Sequence, residues 1–204
     1  MKQNIFSSNY KPVSLFTVFQ ELNDKFSKDK DYFYIRNPEG IFLMMEKNLN
    51  NFCDDLGIDK NIIHIDKTCF SELLLINVFS NTHNDIMVDH RKKSITQIYR
   101  YFRLIILNCC QQLFLYTYDF LSNRTSKSVA LNRLDAVSRQ CAEIDSAIIV
   151  LTQLHKINGA LQNFLAIAAD IVHKIAKLQG ARAVLYQNAL HFHTELNFLR
   201  KFII

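Results

Sequence analysis

The sequence predicts an all-α protein: an elongated antiparallel bundle of three long C-terminal helices with heptad seams, joined to a smaller N-terminal layer of about three shorter helices. Three observations lead there. Glycine and proline are scarce, with Gly 4 and Pro 2 in 204 residues, whereas hairpins and phosphate-cradling loops call on residues that tolerate positive φ or interrupt regular structure. Apolar residues recur at three- and four-residue steps through most of the chain from Ile95 onward. The turn signals between these periodic stretches are short, so neighbouring helices are expected to run antiparallel.

The N-terminal helices come first. Leu15, Val18, Phe19, Leu22 and Phe26 define an amphipathic helix over residues 12–27, with Pro12 in its first turn, where a missing N–H costs nothing. Residues 28–36, charged and then aromatic, read as a linker or a short strand. Asn37-Pro38-Glu39 has the pattern of a helix start, with Asn37 as N-cap, and Gly57 suits the left-handed position that ends the same helix. A third helix is expected over 59–80, with a possible break at 66–68, followed by a loop at 81–84.

Beyond residue 84 the rhythm is more regular. Ile95, Ile98, Phe102, Ile105, Cys109, Leu113, Tyr116 and Phe120 place a helix over 85–121. Residues 122–126 are a polar turn. Ala130, Leu134, Val137, Cys141, Ile144, Ile148, Leu151 and His155 form a heptad seam that ends at Asn158-Gly159. From Leu161 to Ile203 the same spacing runs through six heptads with one polar member, Arg182; this stretch is either a single rod of about 60 Å or a helix kinked at Gly180. Two units follow from this reading, an N-terminal layer over 1–84 and a long bundle over 85–204, folding as one. Composition marks a change near residue 128: no alanine precedes Ala130, and twelve lie between Ala130 and Ala189.

Charge is uneven. Residues 1–84 carry 9 Lys and Arg against 11 Asp and Glu, and residues 85–204 carry 15 against 8. The excess is modest, and net charge bears on association rather than on fold. Five cysteines in no zinc-ligand spacing argue against a disulfide framework or structural zinc and suggest reduced thiols in a cytoplasmic protein. The first sixteen residues lack the apolar run of a secretory leader. The most apolar window, residues 104–118, is shorter than the roughly 20 residues that span a bilayer. A bias toward Phe, Ile, Asn and Lys before residue 128 is typical of AT-rich bacterial genomes and suggests a secretion-related adaptor as context.

Motifs for chemistry are sparse. There is no Gly-x-Ser-x-Gly, no phosphate-binding glycine loop and no Glu-x-x-His. Asp170-x-x-His173 is half of a di-iron pattern, and on an unbroken helix Glu195 would stand about 38 Å from it; no metal or other cofactor is expected. His191 and Glu195 share one helix face and read as a surface patch. His155 and Arg182 occupy seam positions, Arg182 with Asp119 or Asp135 as its expected partner. The buried reading applies to Cys109 and Cys110, which lie mid-helix on an apolar face.

The expected function is a non-enzymatic protein–protein interaction module: an adaptor, a chaperone-like factor or a subunit of an assembly, bound to another protein or to copies of itself. Helices apolar on more than one face (Tyr99, Ile106, Leu115, Leu165, Val172 and Tyr186 beside the seams) need cover on more than one side. The apolar C-terminus suggests Phe198, Leu199, Phe202, Ile203 and Tyr186 as the partner-binding residues. The alternative is a nucleic-acid or anionic-surface binder using Arg91, Lys92, Lys93, Arg100 and Arg103, with Tyr99, Tyr101 and Phe102 interleaved.

Overall fold

The computed structural model describes residues 13–26, 34–37, 39–59, 61, 63–68, 73–78, 92–184 and 188–203. In chain order the elements are α1 (Leu15–Phe26), β1 (Tyr34–Arg36), β2 (Phe42–Met45), α2 (Leu49–Leu56), β3 (Ile63–Lys67), β4 (Leu73–Val78), α3 (Lys92–Ser122), β5 (Thr125–Ser126), β6 (Val129–Ala130), α4 (Asp135–Lys156), α5 (Leu161–Gln179) and α6 (Ala189–Ile203).

The protein is mostly helical, but it is not all-α. An antiparallel sheet in the order β1-β2-β4-β3 replaces most of the expected N-terminal helices. The register Phe42↔Ile76, Leu43↔Leu75, Met44↔Leu74 and Met45↔Leu73 explains why its strands were misread. Phe42, Met44, Leu74 and Ile76 pack with Phe52, Cys53 and Ile58 around α2, whereas Leu43, Met45 and Leu73 join the core built by α1 and the bundle. A strand covered on both faces loses its alternation and becomes a short apolar run, which periodicity cannot separate from a piece of buried helix. Asn37 does cap, but it caps a turn: its Oδ1 accepts the Ile41 N–H at 2.7 Å, and Gly40 follows at φ 86, closing the β1–β2 hairpin. Gly57 takes its expected left-handed place at the end of α2, φ 61.

The helices of the second half bury the middle of their seams, while Ile98, Tyr116, Phe120, Leu134, Val137 and His155 toward the ends are half-buried. Phe102, Ile105, Cys109 and Leu113 of α3, Cys141, Ile144, Ile148 and Leu151 of α4, and Phe164, Ala168, Ile171 and Ile175 of α5 are all in the core. The expected start of α4 at Ala130 is corrected by the small β5–β6 hairpin and a 3-10 turn at Leu131–Arg133, so that the helix begins at Asp135. Asn158, at φ 55, and the bond from the Gly159 N–H to the Leu154 carbonyl (3.0 Å) stop α4 where expected.

Of the two readings of the six-heptad stretch, a single rod or a helix interrupted at Gly180, the structure has the interruption. α5 ends at Gly180, φ 58 and ψ −132, a 3-10 turn covers Gly180–Val184, and α6 folds back along α5. Two helices of about 28 and 22 Å replace one of about 60 Å, and the bundle is not elongated by a protruding tail. The principal core is continuous from Val13 and Leu43 through α3, α4 and α5 to Leu199.

Candidate functional site

The residues proposed from the sequence are distributed differently from their expected grouping. Leu199 is fully buried, and Phe198, Phe202 and Ile203 pack against the core, with the Phe198 and Phe202 rings stacked at 6.0 Å. Tyr186 and Arg91 lie outside the described residues, and Lys92 and Lys93 open α3. Arg100 is exposed, but Arg103 is only 8% exposed. The basic run therefore does not form one open surface: Arg103 stands between Tyr99 and Ile106 at helical spacing, on the second apolar face of α3, and it follows that face inward.

Arg103 reaches the end of α4. Its Nη1 donates to Oδ1 of Asn158 at 3.0 Å, while its buried Nε has no partner. Burial lowers its pKa from the ordinary guanidinium range. His155, half-buried on the last turn of α4, also has a buried Nδ1 without a partner. Burial, and then the positive charges of Arg100 and Arg103, hold its pKa down. The carbonyls at the C-terminal end of α4 favour a nearby cation, by about 0.3–1 kcal/mol.

A second polar centre joins the two ends of the chain. Ser14 and Thr17 form a reciprocal box at the start of α1: the Ser14 N–H donates to Thr17 Oγ1 (3.1 Å) and the Thr17 N–H to Ser14 Oγ (3.2 Å). The Leu15 N–H donates instead to Oε2 of Glu195 on α6 at 2.6 Å. Oε1 of the same carboxyl lies 3.3 Å from Nε2 of His191. Burial pushes the Glu195 pKa up to about 8, against the opposing pull of the Leu15 bond, and burial lowers that of His191. The two groups are thus neutral together at pH 7, with the carboxyl proton placed to be donated to the imidazole. Glu195 was read as a surface residue, although its steps of three from Phe192 and four to Leu199 put it on the inward face.

The turn between α5 and α6 brings together residues that a straight helix would hold far apart. The His173 and His193 rings meet at 4.9 Å, Asn197 Nδ2 donates to Nε2 of His193 at 2.8 Å, and Asp170 pairs with Lys174 at 3.2 Å. Burial, followed by the charge of His173, lowers the His193 pKa, with Asp170 acting in the opposite sense. Among the described residues no group of three His, Cys, Asp or Glu side chains is arranged to hold a metal ion. The Arg182 guanidinium lies over the Phe120 ring at 4.4 Å, as does that of Arg124. The contact found at its seam position is therefore a cation–π contact with Phe120. Cys109, pushed up to about 12 by burial, and Cys110, also raised by burial, are core thiols rather than nucleophiles.

The outer face of α4 is apolar near its C-terminal end. Ile149 and Val150 of α4 and Ile157, which follows its last residue, are 56%, 50% and 71% exposed, with exposed Gln153 between them. Among the described residues no helix is long and apolar enough to cross a membrane. No protein-family model, curated protein or solved structure matches the chain.

Proposed function

We propose that the chain is a non-enzymatic protein–protein interaction module whose contact surface is the outer face of α4. The observation that carries this reading is the exposed stripe of Ile149, Val150 and Ile157. Three branched aliphatic side chains left in water at the C-terminal end of α4 form an anchor for an apolar helix or groove of a partner. The C-terminal tail supports this relocation, since Leu199 is fully buried and Phe198, Phe202 and Ile203 pack against the core.

The test is light scattering after size-exclusion chromatography, comparing the native chain with an Ile149→Glu/Val150→Glu variant. The two positions are exposed, so helicity and melting temperature are expected to stay close to native. Loss of self-association, or of a stoichiometric copurifying partner, in the variant supports the stripe as the contact. A native chain that runs as a clean monomer of 23.8 kDa and behaves identically after substitution overturns it.

A further inference from the structure

We propose that Arg100 and Arg103 of α3 and His155 of α4 together bind an oxyanion of the phosphate or phosphate-monoester class, at the corner where the last turn of α4 meets α3. Arg103 is a nearly buried cation whose one recorded partner is a neutral amide, Asn158 Oδ1, and whose Nε is left without an acceptor. A buried charge of this kind costs several kcal/mol unless it is both paired and hydrogen-bonded. The α4 C-terminus supplies only about half a negative charge toward it.

Arg100 lies one turn earlier on the same side of α3 and is exposed, so it sits at the solvent end of the group. His155 completes it from the opposite element, with a buried Nδ1 that lacks a partner. The charged groups acting on His155 are Arg100 and Arg103, both repelling its proton, while Lys156 is exposed beside it on α4. Among the described residues no carboxylate pairs with any of the three. Water would satisfy the two orphaned nitrogens but would leave the charges of Arg100 and Arg103 uncompensated. An oxyanion supplies acceptor lone pairs and negative charge at once, and guanidinium forks match phosphate oxygens in geometry.

The experiment is an NMR titration of the His155 imidazole with inorganic phosphate, against chloride at matched ionic strength, in the native chain and in the Arg100→Gln variant, with the melting temperature of the native chain and of a His155→Gln variant followed under the same additions. Phosphate is expected to give a saturating shift and to raise the His155 pKa by about one unit, because a nearby negative charge favours the imidazolium. Arg100→Gln, an exposed substitution with a native melting curve, is expected to weaken phosphate binding about tenfold. His155→Gln is expected to keep only part of the phosphate-induced increase in melting temperature, because the two arginines remain. A second titration with glycerol 2-phosphate separates the sources: tighter binding than inorganic phosphate identifies an ester of a larger molecule, and equal binding a free ion, both consistent with the site. Identical responses to phosphate and chloride, or an Arg100→Gln variant that titrates as the native chain does, would overturn the proposal.

Discussion

Oε2 of Glu195 accepts a 2.6 Å hydrogen bond from the backbone N–H of Leu15, joining the first turn of α1 to α6 across 180 residues of sequence. The carboxyl caps a helix N-terminus, a favourable place for negative charge, yet it is so completely enclosed that burial outweighs the dipole and keeps it protonated. His191, with its pKa lowered, is placed to accept that proton's hydrogen bond.

Stability should therefore fall with rising pH in a window set by Glu195. Its folded pKa of about 8 lies above the ordinary carboxylate value of 4.5, so the folded state binds the extra proton between those values. The contribution is complete below about pH 4.5, declines as pH rises, and is gone above about 8. His155, His191 and His193, all with lowered pKa, act in the opposite direction, their stability being present above about 6.5 and lost in acid. The Glu195 slope is isolated between pH 6.5 and 8. Urea unfolding across that interval should show a falling free energy in the native chain and a flat one in Glu195→Gln; equal slopes would refute the assignment.

The reversal at Gly180 rests on a backbone conformation that L side chains rarely adopt, φ 58 with ψ −132. An added Cβ would meet nothing within 4 Å, so any cost of Gly180→Ala is conformational. About 2 kcal/mol is expected, or a melting temperature lower by roughly 6 °C for a chain of this size. A calorimetric scan that leaves the midpoint unchanged would show that the turn accommodates the residue without strain.

Leu199 belongs to the core, so Leu199→Ala should cost about 2–5 kcal/mol through lost burial and a cavity. Removal of residues 198–204 should then unfold the chain and not merely release a partner. Circular dichroism decides: a truncated chain that keeps native helicity and a cooperative melt would return the tail to the surface.

The β5–β6 hairpin turns on Lys127 (φ 48) and Ser128 (φ 68), two non-glycine residues in the left-handed region. A two-residue turn with both φ values positive favours Asn-Gly. Lys127→Asn/Ser128→Gly should stabilise the protein by about 1 kcal/mol, read as a higher denaturant midpoint with an unchanged slope.

Local pattern in the sequence was sufficient for much of the second half. The steps of three and four residues mark Phe102, Ile105, Cys109, Cys141, Ile144, Ile148, Phe164 and Ile171 as inward, and all are buried, because a helix presents one face to its neighbours at that period. The stops at Gly57 and Asn158-Gly159 were equally local, since backbone conformation at a helix end selects its residues. The site residues were partly readable by the same rule. Arg103 between Tyr99 and Ile106, and Glu195 between Phe192 and Leu199, lie on inward faces by spacing, but their charge suggested the surface.

Tertiary structure decided what periodicity could not. Phe42–Met45 and Leu73–Val78 are strands because each completes the other's hydrogen bonds across the sheet, with cores on both sides; a four- to six-residue apolar run carries no period of its own. The heptads from Leu161 to Ile203 continue unbroken in sequence, yet the chain turns at Gly180, so that the second run of apolar residues packs against the first and the common core instead of extending into solvent. Only that reversal brings His173 to His193, and only the packing of α6 on α1 brings Glu195 to Leu15. The sequence determined which residues would be buried along each helix; long-range packing determined which of them would meet.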